Sequence, residues 1–397
     1  MASASTNPTS SPTNPTLLVI GATGVTGRAA LDGLLASGVV PAANVVALTR
    51  SKNGSGARAV AELGVNLAEG DLDSETDDVA NLLATTPSLR AVYIHALSAD
   101  AATADPRELE RASRLALQLR PAVQRQQLDI VLYNSSAGKG AGSGISQVEQ
   151  KHAVEEVLSG GGKSESGGGG GGGESGGGVP FCAFQCSMFF EELWKKYTRP
   201  AILEKGKFMF SIPPDVPVHL VAARDLGTAT AAALRDPKRF AALKELPLAG
   251  DALTPTQLCA AFEKAAKEAA TSGSSSSSSS SSAATLVATA VTQQRFPPLW
   301  LTWLLNKDLY RIVRFLSTPP GYGVDVAAAR RLVPGLLTFD EFLRRTGWAD
   351  PGRTYEQGVR YDEDGVGGIA AGGGGGLSPV PVAAAGQGGA GDEAAAE

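Results

Sequence analysis

The chain has 397 residues, 43% of them hydrophobic, and a formal net charge of −5 at pH 7. That is ample for a packed core, and Lys and Arg form no stripe along one helix, which argues against direct binding of nucleic acid or of an anionic membrane. Cys182, Cys186 and Cys259 lack paired metal-ligand spacing and predict a reduced intracellular compartment, and neither a secretory signal nor a run of about 20 apolar residues for a transmembrane helix is expected.

Length alone would permit two or three domains, but several tracts bury too little apolar surface to offset the cost of ordering them. These are the N-terminal residues 1–15, a Gly-rich insertion at 159–178, a Ser-rich one at 271–283 and a Gly/Ala-rich tail at 351–397, all expected to be disordered. The remainder, 16–350, reads as a core over about 16–185 followed by a smaller subdomain over about 186–350.

In chain order, LLVI (17–20) is followed by a helix from near Gly24, VVAL (45–48) by an Ala-rich helix, and VNLAEGD (65–71) by another. AVYIHA (91–96), a helix from about Pro106 to Gln124, DIVLYNSS (129–136), a helix at about Val148 to Leu158 and VPFCAFQ (179–185) continue the alternation. Strands that read as unbroken apolar runs between helices predict an α/β fold, a doubly wound parallel sheet of Rossmann type with helices on both faces. Beyond residue 185, FMFSI (208–212) and PVHLVAA (217–223) read as strands and ARDLGTATAAALRD starts a helix near Asp225. LTPTQLCAAFEKAAKEAA is a helix capped by Thr254, and 297–348 look helical, forming a smaller α/β substrate or partner region.

The turn after the first strand is Gly21, Ala22, Thr23, Gly24, Val25, Thr26 and Gly27. Gly21 permits a tight turn, Gly24 lets the backbone approach a pyrophosphate and Gly27 allows close helix packing, with the anion on the helix N-terminus. An ordinary strand-to-helix turn has the same glycines, and the repeating βα pattern is what favours a dinucleotide. At the end of the second strand, where a carboxylate would select NAD, the chain has Arg50, Ser51 and Lys52. Arg50 can stack on adenine and pair with a 2′-phosphate, so NADP(H) is favoured, NAD(H) being the alternative.

GATGVTGR, VVALTRS, EGDL at 69–72, Lys151 within QKHAVEEVL, AARDLGTATAAAL at 222–234 and the ending PGLLTFDEFLRRTGW together resemble the NmrA-like family of atypical short-chain dehydrogenases/reductases. The resemblance runs from Leu17 to Trp348 except through the Gly and Ser tracts. It implies that Asp71 and Leu72 contact the adenine, that His95, Ala96 and Leu97 pass beside the nicotinamide ribose, and that Cys186, Ser187, Met188 and Phe189 line the nicotinamide side. Without the resemblance, Asp71 reads as a turn or cap carboxylate.

Carbonyl reduction in short-chain dehydrogenases requires a Tyr four residues before the helix Lys, with a Ser after the fifth strand. Here Gln147 stands four before Lys151, while Ser135 and Ser136 follow the strand. An amide cannot donate and recover a proton as a phenol does, so Ser135 without the tyrosine would only orient a substrate. Two readings follow from the resemblance. In one, Lys151 holds the cofactor in a nucleotide-state sensor that regulates transcription factors through protein contact, in the cytoplasm and also the nucleus. In the other, Lys151 is the acid or base of an oxidoreductase acting on a small carbonyl, quinone or aromatic molecule. A surface pair of Lys151 with Glu155 is the plainer alternative. His95 faces the nicotinamide or is a satisfied core histidine. Phe189, Phe190, Trp194 and Tyr197 either wall a substrate pocket or pack the core, and Cys182 and Cys186 read as buried packing rather than a redox pair.

Overall fold

The computed structural model describes residues 16–97, 105–138, 144–160, 179–272 and 290–360. Residues 1–15 and most of 159–178, 271–283 and 351–397, the segments expected to be disordered, lie outside them. The first half alternates as expected: β1 (Leu17–Ile20), α1 (Val25–Ala36), β2 (Val45–Thr49), α2 (Ser55–Ala61), β3 (Asn66–Glu69), α3 (Asp78–Thr85), β4 (Ala91–Ile94), α4 (Pro106–Gln124), β5 (Ile130–Ser136), α5 (Ser146–Leu158) and β6 (Phe181–Cys186). Then come β7 (Met188–Phe189), α6 (Arg199–Lys205), β8 (Lys207–Met209), β9 (Val218–Val221), α7 (Asp225–Arg235), α8 (Pro237–Leu243), β10 (Glu245–Leu248) and β11 (Asp251–Leu253). The chain continues through α9 (Pro255–Ser272), β12 (Thr292–Gln294), α10 (Leu299–Leu305), α11 (Lys307–Leu316), α12 (Val326–Leu332), α13 (Phe339–Thr346) and α14 (Tyr355–Arg360).

The main sheet runs β3-β2-β1-β4-β5-β6-β10, with parallel pairing throughout. The order reverses between β1 and β4, and ligands of such sheets bind outside the carboxyl ends of the strands at that reversal. Successive side chains alternate between two buried faces. Leu17, Val19, Ala47 and Tyr93 enter a core with α1, α7 and α8, whereas Leu18, Ile20, Val46 and Tyr133 enter one with α3, α4 and α5. The helices α1 and α7 touch backbone to backbone. A Cβ on Gly227 would lie 1.9 Å from the Ala30 oxygen, and one on Gly33 would lie 2.3 Å from that of Arg224, so glycine is required on both sides.

The second half builds a smaller sheet, β11-β9-β7, a β12-β8 pair and an aromatic core of Phe190, Phe208, Phe262, Phe339, Phe342 and Trp348. Arg199 ties the end of the chain to it. Its guanidinium lies 4.2 Å from the Trp194 ring and donates to the carbonyls of Trp348 (2.8 Å) and Arg353 (3.0 Å). The expected Thr254 cap of α9 is present, its hydroxyl accepting from the Gln257 nitrogen at 3.2 Å.

Three expectations are corrected. The strand expected over 208–212 is limited to β8. ELPL at 245–248, not anticipated as a strand, forms the seventh position of the main sheet, where Pro247 is tolerated because β10 is an edge. Residues 355–360, expected within the tail, form α14, and a Cβ on Gly358 would lie 2.4 Å from the Trp194 ring.

Candidate functional site

The turn from β1 into α1 is built as its glycines require. Gly21 has φ +88°, and a Cβ there would lie 2.9 Å from the Ala96 nitrogen, so the end of β4 rests directly on the turn. A Cβ on Gly27 would lie 2.0 Å from the Gly21 oxygen. Gly24 differs: its nearest neighbour would be 3.9 Å away, leaving open space above the backbone. Gly24 also caps α1, with no side chain bonded to the cap and no acid in the first turn. The N–H groups of Val25, Thr26 and Gly27 therefore form the positive end of a helix dipole with no carboxylate in the first turn to neutralise it, at the reversal of strand order. An opening of that form, kept clear by a glycine whose Cβ would enter it, fits a pyrophosphate.

His95 lies under this turn. It is buried, with Nε2 2.9 Å from the Thr26 hydroxyl and Nδ1 2.9 Å from that of Tyr93. Burial, assisted by the charge of Lys151, lowers its pKa to about 3, so the ring is neutral. Its side chain is thus the satisfied core histidine, and its part in the site is to brace α1. The backbone of residues 95–97 is what the fold brings beside the glycines.

The other side of the reversal is shaped by α4. Arg111, side chain only 10% exposed, donates to both oxygens of Asp73 (2.6 and 2.7 Å), to Asp105 (2.8 Å) and to the Leu97 carbonyl (2.7 Å). It clamps the loop after β3 to the end of β4, and its hydrogen bonds hold the Asp73 carboxyl below the ordinary carboxylate range. Arg50 is exposed and near enough to add to that effect. The Asp71 carboxylate accepts from the Asp73 nitrogen at 3.0 Å and so closes a turn, the plainer of its two readings; Leu72 packs on the core, with its carbonyl accepting from Arg114. Ser51 is exposed, its hydroxyl accepting from the Asn53 nitrogen.

The expected proton-transfer residues are engaged elsewhere. Lys151 does not pair with Glu155 along its own helix; it bonds Glu108 of α4 at 2.5 Å, a side chain 3% exposed that also accepts from Tyr133 (3.3 Å). Ser135 is buried, and its hydroxyl donates to Glu155, which also accepts from Gln185 (3.2 Å). The Ser135 hydroxyl, expected to orient a substrate, is thus held between α5 and β6. Neither Glu108 nor Arg111 was anticipated from the sequence; the signal is there in α4, where both stand on the buried stripe with Ala112, Leu115 and Leu119.

Cys186 and Ser187 are buried where β6 ends, and Met188 and Phe189 carry the chain across to the smaller sheet. Burial pushes the Cys186 thiol far up, and Cys182 to about 12, so both are inert packing groups. At the same edge the Ser187 hydroxyl and the Asn134 Oδ1 are buried without a hydrogen-bond partner among the described residues, polar groups suited to a ligand. Phe190 and Trp194 belong to the aromatic core, whereas Tyr197 is exposed. A cavity of about 520 Å³, whose described lining shares no residue with the turn, lies between α11 and Gly144. Among the described residues no cluster of three His, Cys, Asp or Glu could hold a metal, and no helix is long and apolar enough to cross a membrane.

Fold and turn together define a Rossmann-type chain whose first strand-to-helix turn leaves an opening that fits a pyrophosphate. Its first half, residues 17–156, matches the model of the NAD dependent epimerase/dehydratase family, and residues 177–276 match that of the NmrA-like family. With the motifs from GATGVTGR to AARDLG, these matches bear out the NmrA-like resemblance. No curated protein matches significantly in sequence. Among solved structures, NmrA, a negative transcriptional regulator in complex with NAD, aligns at TM-score 0.57 and 18% identity, covering 84% of this chain and 95% of its own. The NADPH-dependent quinone oxidoreductase of Escherichia coli gives 0.55 and 18%, covering 83% and 98%. The Citrobacter sp. triphenylmethane reductase with NADP(H) gives 0.56 and 14%, covering 82% and 98%. Regulator and reductases share this fold, so the fold does not choose between them.

Proposed function

We propose that the chain is an NADP(H)-binding sensor of nucleotide redox state that acts through contacts with a regulatory protein. The observation that carries this reading is that Lys151, the group expected as acid or base, and Ser135, expected only to orient a substrate, are engaged by the buried carboxylates Glu108 and Glu155, while Gln147 stands where a tyrosine would donate. Gly21 to Gly27 would hold the pyrophosphate, the backbone at 71–72 the adenine, and Arg50 a 2′-phosphate, the absence of a carboxylate at the end of β2 favouring NADP(H) over NAD(H). The residues from His95 to Leu97 and from Cys186 to Phe189 would border the nicotinamide ribose and ring. A nicotinamide dinucleotide supplies or accepts hydride when bound; this chain's residues would orient it, with Gln147 in place of the tyrosine that would donate a proton. The test is calorimetric binding of NADP and NADPH beside NADPH oxidation against a panel of carbonyls and quinones. Tight binding without turnover is expected, and turnover of any member at rates of about 1 per second would overturn the reading.

One observation favours a second reading, an NADPH-dependent oxidoreductase of a small carbonyl, quinone or aromatic metabolite. The cavity of about 520 Å³ stands near the carboxyl end of β5, where a substrate would meet the cofactor.

A further inference from the structure

The outer cavity is lined by a set of side chains that the dinucleotide site does not use. Lys307, Tyr310, Arg311, Arg314 and Phe315 recur at steps of three and four along α11 and so share one face, and Trp303 of α10 adds to the lining. The opposite wall includes Gly144, which stands just before α5. The wall formed by α11 is seated on the loop after β5: a Cβ on Gly138 would lie 2.7 Å from the Phe315 ring, which packs edge-on against Tyr322 at 5.4 Å. That contact fixes the position of the α11 wall.

Its charge is the second observation. Among the described residues three cations line it and no carboxylate does, in a chain whose net charge is −5. Arg311 pairs with Asp308 at 3.0 Å, but neither Lys307 nor Arg314 pairs with a carboxylate among the described residues. Like charges gathered on one helix face repel unless an anion lies among them. Trp303, half exposed, and Tyr310 and Phe315 supply flat apolar faces beside those cations. A small planar ring would stack on them while its acidic group met Lys307 and Arg314. The volume of about 520 Å³ lies within the range of about 300–1,000 Å³ of small-molecule sites.

We propose that this cavity binds a planar aromatic anion, a ring bearing a carboxylate, sulfonate or phosphate. The inference goes beyond the sensor reading, since such a ligand would be an effector of a sensor or a substrate of a reductase. The probe is naphthalene carboxylate, titrated by calorimetry into the full chain, with neutral naphthalene carboxamide as the control of equal shape. The carboxylate is expected to bind, the carboxamide about tenfold or more weaker, and Lys307→Glu and Arg314→Glu each to weaken the carboxylate about tenfold or more. Both residues are exposed, so circular dichroism and NADPH affinity should be unchanged in these variants. Trp303→Ala should weaken carboxylate and carboxamide together. Gly24→Val should lose NADPH yet keep the carboxylate, so the two sites fail or stand separately. Absence of binding, equal binding of the carboxamide, indifference to both charge reversals, or capture of a Glu-rich peptide in preference to the carboxylate would overturn the proposal.

Discussion

Two glycines three residues apart make opposite predictions. A Cβ at Gly24 meets nothing nearer than 3.9 Å, and its φ of −76° and ψ of 163° are open to any residue. Substitution there should be almost silent for folding. Replacing glycine at a cap by Ala or Val costs about 0.5–1.5 kcal/mol, while a stiffer unfolded chain gains about 0.4–1 kcal/mol, leaving Gly24→Ala and Gly24→Val within roughly 1 kcal/mol of wild type. At Gly27 the Cβ would lie 2.0 Å from the Gly21 oxygen and 3.1 Å from the His95 ring. The nearest atom is backbone and cannot turn aside, so Gly27→Ala should cost about 3 kcal/mol or more. Nucleotide binding reverses the ranking per unit of stability. Gly24→Val places two methyl groups in the opening above the first turn of α1 and should weaken NADPH more than about 100-fold, or about 2.7 kcal/mol, in a protein that still unfolds cooperatively. Urea titration and calorimetry on the same preparations read both quantities. If Gly24→Val bound NADPH normally, the pyrophosphate would not sit there and the dinucleotide assignment would fall. If it unfolded instead, the open space above Gly24 would not be what the turn maintains.

Three further outcomes are expected. Burial holds His95 at about pKa 3 against an ordinary 6.5; a lowered folded pKa means that its contribution is present above 6.5 and lost on acidification, by about 2 kcal/mol between roughly pH 7 and 5. The difference in urea stability between wild type and His95→Gln should change by that amount across the window, and a constant difference would refute the buried neutral ring. Arg111→Ala leaves Asp73 and Asp105 only their longer contacts to the exposed Arg107 (3.6 and 3.9 Å) and should cost about 1–3 kcal/mol while weakening NADPH, with Lys unable to restore the two-pronged contact; a loss below roughly 0.5 kcal/mol would show that the clamp is dispensable. Arg50→Glu should weaken NADP far more than NAD, and an equal loss for both would show that Arg50 does not read the 2′-phosphate.

The parts of this fold that were legible in the sequence are those decided locally. LLVI, VVAL and AVYI are continuous apolar runs because both faces of the sheet are covered, and the glycine turn follows from the sterics of one strand-to-helix junction. ELPL was missed for the opposite reason. It buries only alternate residues and contains Pro247, and nothing within four residues reveals that β6 has an unpaired side for it to join.

The chemistry around Lys151 shows the same division more sharply. Local periodicity compares a side chain only with its own helix, which is why Glu155 suggested itself as a partner, whereas Glu108 lies 43 residues earlier on a helix that tertiary packing brings alongside. Yet the need for such a partner is written in α4. Glu108 and Arg111 stand on a stripe with Ala112, Leu115 and Leu119, and an unpaired ion on a buried stripe costs several kcal/mol. Each must therefore meet an opposite charge from another element, and the available ones are the helix lysine of α5 and the acids that end β3. The identity of the pairs required the fold, but their existence did not. Once Lys151 is recognised as the cation that Glu108 requires, its presence no longer argues by itself for catalysis, because a residue held for the stability of the α4–α5 contact would look the same in the sequence.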